Sequence, residues 1–83
     1  MNGAVRVLFF AALREKIATK ELWVEIEEGF RAMDLVRCLQ GVYPQIRDFL
    51  PRARIAVNQK MAPLDQDLAD GDEVALIPPV SGG

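Results

Sequence analysis

The chain has 83 residues, 51% of them apolar, with ten basic and twelve acidic side chains and a net charge of −2. That is the size of one domain with one small core, without the basic footprint of a general nucleic-acid binder, and its longest apolar run, Val7 to Leu13, is too short to cross a bilayer. Histidine is absent, and Cys38, Ser81 and Thr19 are each the sole residue of their kind, so this chain can form no Ser–His or Cys–His pair, no internal disulfide and no Cys/His zinc site. No Gly-rich phosphate loop is present. Any chemistry therefore calls for catalytic groups on a partner. With no secretory pattern at its start and no disulfide, the chain is expected in a reducing cytoplasm, away from membranes.

Val5 to Phe10 reads as the first strand. Val5, Val7 and Phe9 share one face, and Leu8 and Phe10 share the other, where a purely solvated strand would be polar. Ala11 to Lys16 favours a short helical turn. Glu21 to Glu27 alternates Leu22, Val24 and Ile26 with Glu21, Trp23, Glu25 and Glu27, the pattern of a half-buried strand whose outer charges blunt an edge. Ala18-Thr19-Lys20 leads into it as the link of a hairpin. Glu28-Gly29 turns the chain into a helix from about Arg31 to Val42, with Ala32, Leu35, Val36, Leu39, Val42 and Tyr43 on one face. Asp34 suits its first turn, but no Ser, Thr, Asn or Asp stands at its N-cap. Cys38 lies on the flank of the apolar stripe, read as a small packing residue, with a redox or acyl-carrying thiol as the alternative. Pro44 to Leu50 allows one more short turn.

Ile55-Ala56-Val57 is the third strand, Asn58-Gln59 a turn, and Lys60-Met61-Ala62 a short fourth strand. Arg52 and Arg54, just upstream, are either a solvated connector or a dock for an acidic partner. The aspartates at 65, 67, 70 and 72 fail the calcium-loop pattern, because Asp70 falls where Gly is needed, and read as turn and cap residues. Asp70-Gly71-Asp72 turns into the last strand, Glu73 to Ile77.

The order β-β-α-β-β-β with one main helix predicts an α+β fold, a β-grasp or ubiquitin-like arrangement with a mixed sheet covered on one face. The first and last strands, the most apolar, belong side by side in its middle. The expected inward set is Val5, Val7, Phe9, Leu22, Val24, Ile26, Leu35, Leu39, Ile55, Val57, Val74 and Leu76. Leu8, Phe10, Ile77 and Met61 then lie on the uncovered face as a candidate partner patch.

Residues 1–77 form the expected domain, and residues 78–83, Pro78-Pro79-Val80-Ser81-Gly82-Gly83, an extended tail. Proline fixes φ and lacks an N–H, so Pro78-Pro79 ends the ladder in a stiff, extended segment. Gly82 and Gly83 have no Cβ and can pass close to another surface. At about 3.3 Å per residue the tail reaches roughly 20 Å. It ends in an α-carboxylate, anionic at neutral pH. A carboxylate on a thin arm suits insertion into a narrow active site.

Val7 to Glu15, Ala56-Val57-Asn58-Gln59, Asp70 to Ala75 and Pro78-Pro79-Val80-Ser81-Gly82-Gly83 together resemble the small subunit of molybdopterin synthase. The resemblance implies that an E1-like enzyme adenylates the Gly83 carboxylate with ATP and that a sulfur donor protein converts it to a thiocarboxylate. The tail then enters the large synthase subunit, where sulfur passes to cyclic pyranopterin monophosphate, and the complex is a heterotetramer. It also implies that Gly83 bears the sulfur, that Gly82 is the spacer, and that Phe10, Arg14, Met61 and Ile77 face the large subunit. No cofactor is bound by the chain itself; the ATP belongs to the activating enzyme. Arg31, where the family often has Thr, and Cys38 depart from the pattern without touching the tail. Gly-Gly ends also occur in carriers for thiamine or tRNA thiolation and in ubiquitin-like modifiers, and these stand as alternatives.

Overall fold

The computed structural model describes residues 3–48 and 52–77. Five strands form one sheet: β1 (Gly3–Phe9), β2 (Glu21–Ile26), β3 (Arg54–Val57), β4 (Lys60–Ala62) and β5 (Glu73–Ile77), in the spatial order β2-β1-β5-β3-β4. β1 and β5 are parallel and central, with Val7 opposite Val74 and Phe9 opposite Leu76; every other pairing is antiparallel. Two helices, α1 (Ala11–Ile17) and α2 (Ala32–Val42), and a 3₁₀ turn at Pro44–Ile46 lie between the strands. The first strand begins two residues earlier than its hydrophobic pattern indicates, because Gly3 and Ala4 still pair with Ile26 and Glu25.

One face of the sheet is closed by α2. Val5, Val7, Phe9, Val74 and Leu76 from the central strands are essentially inaccessible and meet Ala32, Leu35, Val36 and Leu39 of the helix. Leu22, Val24 and Val57 pack at the margin of this core and stay partly exposed, since β2 is an edge strand and Val57 ends β3. Phe9 meets Tyr43 edge-on, ring centres 6.1 Å apart, which ties the end of α2 to the end of β1.

Two expectations on α2 are corrected. Val42 is 57% exposed. It sits at the far edge of the apolar stripe in the helix's last residue, so Tyr43 takes the inward position. Cys38 is exposed rather than packed, because the buried positions on either side, Leu35 and Leu39, already fill the interface. The helix start is fixed without a side chain at the N-cap: the Arg31 N–H donates to the Asp34 carboxylate at 2.9 Å, which also places a negative charge in the first turn.

Core residues also come from short segments. Leu13 and Ile17 of α1, Ile46 of the 3₁₀ turn and Leu68 of the long loop are buried. α1 and the 3₁₀ turn pack together and close the end of the sheet at which β1 and β5 finish. A left-handed Ala18, φ 54°, ends α1 and turns the chain into β2.

Candidate functional site

The sheet and α1 together build the region around the end of β5. On the face opposite α2, register places Glu21, Leu8, Ala75, Ala56 and Met61 in one row across β2, β1, β5, β3 and β4. One step toward the strand ends, Ile77 lies opposite Arg54. Phe10 keeps an extended backbone, φ −121° and ψ 155°, and so continues the alternation of Leu8. Phe9 turns into the core while Phe10 turns out, leaving Phe10 44%, Met61 58% and Ile77 36% exposed. Leu8, flanked by two strands, is half-buried. Arg14 is exposed one helical turn beyond Phe10, and its N–H reaches the Phe10 carbonyl.

These side chains gather because of strand direction. β1 and β5 run the same way, so Phe10 and Ile77 leave the sheet at the same end, and α1 brings Arg14 back over it. Trp23 lies on this same face of edge strand β2, beside Arg6, and is 58% exposed. Arg6 spans to Glu21 at 3.0 Å, which occupies both charges between Trp23 and Leu8. Sequence reasoning leaves Arg54 as either a solvated connector or a dock for an acidic partner; its pairing with Ile77 sets it on the sheet beside the apolar patch. Only the cross-strand register carries that information, and periodicity within a three-residue run could not.

The root of the last strand is held by a second group of residues. Asn58 and Gln59 have φ of 51° and 70°, a left-handed pair that makes the two-residue hairpin between β3 and β4. The Asn58 amide donates to the Asp72 carboxylate at 2.9 Å, and its carbonyl oxygen accepts the Glu73 N–H at 2.9 Å. Asp72 also accepts the Ala69 N–H, and Asp70 accepts the Ala4 N–H. Asp70 and Asp72 thus serve as the turn and cap residues their setting suggests. Among the described residues no group of three or more Cys, Asp or Glu side chains is placed to hold a metal ion.

Pro78, Pro79, Val80, Ser81, Gly82 and Gly83 lie outside the described residues. The strand that leads to them ends at Ile77, inside the exposed apolar patch. A central strand finishing in such a patch is suited to handing the next residues of the chain to a partner that covers the patch.

The ThiS family matches residues 7–83, a span that includes both the patch and all of 78–83. The chain belongs to the ThiS family. Among curated relatives, the molybdopterin synthase sulfur carrier subunit of Mycobacterium tuberculosis is 49% identical over 80 residues, covering 95% of this chain and 96% of that protein. The subunit of the same description from Dictyostelium discoideum is 36% identical, and both chains are covered in full. Among solved structures similar to this ThiS-family chain, the small archaeal modifier protein SAMP1 of Haloferax volcanii has a TM-score of 0.84 at 30% identity, covering 98% of this chain and 100% of that one. A complex of subunits 1 and 2 of the molybdopterin-converting factor from Helicobacter pylori contains a chain with a TM-score of 0.66 at 28% identity, covering 96% of this chain and 99% of that one. A ubiquitin of Caldiarchaeum subterraneum, 12% identical with a TM-score of 0.68 and full coverage of both chains, shares the fold alone. The fold is the expected β-grasp.

Proposed function

We propose that this ThiS-family chain is the sulfur carrier subunit of a molybdopterin synthase and that Gly83 is its working residue. The observation that carries the reading is the family match through residue 83, together with relatives of that description covered over nearly their whole length. The exposed patch at the end of β5 supports it from the physical side.

In this reading the Gly83 carboxylate oxygen attacks the α-phosphorus of ATP in an E1-like enzyme, and pyrophosphate leaves. A carboxylate anion is a poor electrophile, whereas the acyl-adenylate has AMP as a leaving group. Sulfur released by a donor protein at the sulfide level attacks the carbonyl carbon, AMP leaves, and a thiocarboxylate remains. In the large synthase subunit that sulfur passes to cyclic pyranopterin monophosphate, and an oxygen from water restores the carboxylate. The chain's own contribution is reach and fit. Gly82 and Gly83 present no side chain to a narrow entrance, and Phe10, Met61, Ile77, Leu8 and Arg14 supply the surface that covers the large subunit's flank. The Helicobacter pylori complex, in which a similar chain is joined to a second subunit, supports that partner. The work belongs to the cytoplasm, and no described helix is long and apolar enough to cross a membrane.

Intact-mass measurement tests the reading. After co-expression with the cognate activating enzyme, one terminal oxygen is expected to be replaced by sulfur, and deletion of Gly83 is expected to abolish molybdopterin formation in a reconstituted assay while the fold persists. Molybdopterin formed by the truncated chain overturns the role of Gly83. The likeness to SAMP1 favours one second reading, a protein modifier joined to lysines through Gly83; a ladder of conjugates in place of the sulfur-bearing species would establish it.

A further inference from the structure

The charged side chains of the chain all lie among the described residues, and strand direction sorts them by sign. At the end where β1 and β5 finish stand Arg14 and Lys16 of α1, Lys20 before β2, Arg47 after the 3₁₀ turn, and Arg52 and Arg54 before and at the start of β3. Those six bases face only three acids there, Glu15, Glu21 and Asp48, and Glu21 is engaged by Arg6. At the other end the sign is reversed. Glu25, Glu27 and Glu28 lead out of β2, Asp70, Asp72 and Glu73 lead into β5, and Asp65 and Asp67 lie beside the start of α2. Arg31 and Lys60 offset them in part; Arg6, level with Glu73, bridges away to Glu21, and Asp34 and Arg37 of α2 balance each other. The net charge of −2 therefore hides a dipole along the strands, positive at the end from which residues 78–83 depart.

We infer that this basic pole is a steering surface for the activating enzyme, whose tail-receiving opening is ringed by carboxylates. The inference rests on the carrier reading above. A carrier must leave the enzyme that loads it to reach the one that consumes its cargo, so the loading encounter is brief and repeated. Affinity in such an encounter is limited by design, and rate is what charge can supply: complementary fields raise association rates by about 10 to 10³-fold, without the burial that would slow release. The dipole also orients the approach, because an acidic opening attracts the tail end and repels the far end. A nucleic acid fits less well, since the acidic pole repels a polyanion and Glu15 and Asp48 break up the basic surface.

Stopped-flow association with the activating enzyme tests this, using residues outside the apolar patch. Reversing the pole with Lys20→Glu, Arg47→Glu and Arg52→Glu together should slow association at least tenfold at about 50 mM salt. The difference should shrink severalfold at about 300 mM, where the screening length is short, with dissociation changed less than about threefold. Reversing Glu25, Glu27 and Asp65 to Lys, a change of net charge equal in size and opposite in sign, should alter association by less than about threefold. Should the triple Glu variant fail to fold, Lys20→Gln, Arg47→Gln and Arg52→Gln together, and the salt dependence of the unsubstituted chain, decide the matter. An association rate indifferent to salt, or equal effects of the two reversals, overturns the inference. So does a basic pole that governs binding of single-stranded RNA but not of the enzyme. Sulfur loading of the unsubstituted chain in the same preparation separates the two levels. Its absence fails the carrier reading, whereas normal loading with unsteered association fails only this inference.

Discussion

Asn58 is the residue on which the two most distinctive sequence stretches meet. The Asn-Gln turn and the Asp-Gly-Asp-Glu entry are fourteen positions apart, and the Asn58 side chain joins them by one donated and one accepted hydrogen bond. Its positive φ adds a conformational demand that Asn tolerates better than most residues. Asn58→Gly should cost about 1 kcal/mol, through the lost hydrogen bonds, and Asn58→Ala about 2 kcal/mol, because strain is added to that loss. Equal midpoints in urea denaturation would remove the strain contribution. Gly3 makes a different demand. A Cβ there would sit 2.5 Å from the Cβ of Asp70, whose carboxylate holds the Ala4 N–H. Gly3→Ala should therefore destabilise the fold by about 1–3 kcal/mol as Asp70 is displaced, checked by the same denaturation. Neither role is visible along the sequence, where Gly3 looks like part of a terminus and Asn58 like any turn residue.

At the scale of elements, periodicity served where runs were long. The alternation in β1 and β2 and the stripe of α2 located the core face because each had several turns or pairs to express a period. Short segments carried no period: Leu13 and Ile17 sit in a seven-residue helix, and Ile46 in a three-residue turn. Their burial is set by α1 and the 3₁₀ turn closing on each other at the end of the sheet. Leu13 is fully buried there, so Leu13→Ala should cost about 2–5 kcal/mol, measured by denaturant unfolding. A loss below about 1 kcal/mol would mean that this end of the sheet is sealed without α1. The same closure fixes Phe10 between buried Phe9 and α1. Phe10→Glu, on an exposed position, should leave the unfolding midpoint nearly unchanged while weakening affinity for the large synthase subunit at least tenfold in calorimetry. Unchanged affinity would take Phe10 out of the interface.

For the whole molecule, the sequence was legible to the level of topology. One helix and five short strands, with the two most apolar strands at the first and last positions, leave few sheets that bury what must be buried. What was not legible is what only pairing creates: Arg54 set beside Ile77, and charges far apart in sequence sorted to opposite ends by the strands' directions. The candidate site divides the same way. Its apolar members were legible from alternation and the charged surroundings needed the register, whereas Gly83 stands as a proposal from the composition of the last residues and their family resemblance.

The parallel pairing of β1 with β5 has a mechanical corollary. The two strands point the same way, so a pull on the last residues against the first ones slides β5 along β1 and loads the rungs between them together, in shear. β5 is also gripped on its other edge by β3. In the carrier reading residues 78–83 are threaded into and drawn out of tight channels, and that load falls on a strand paired along both of its edges. Tugging on Gly83 in optical tweezers should meet high resistance and a single abrupt rupture, with no gradual peeling.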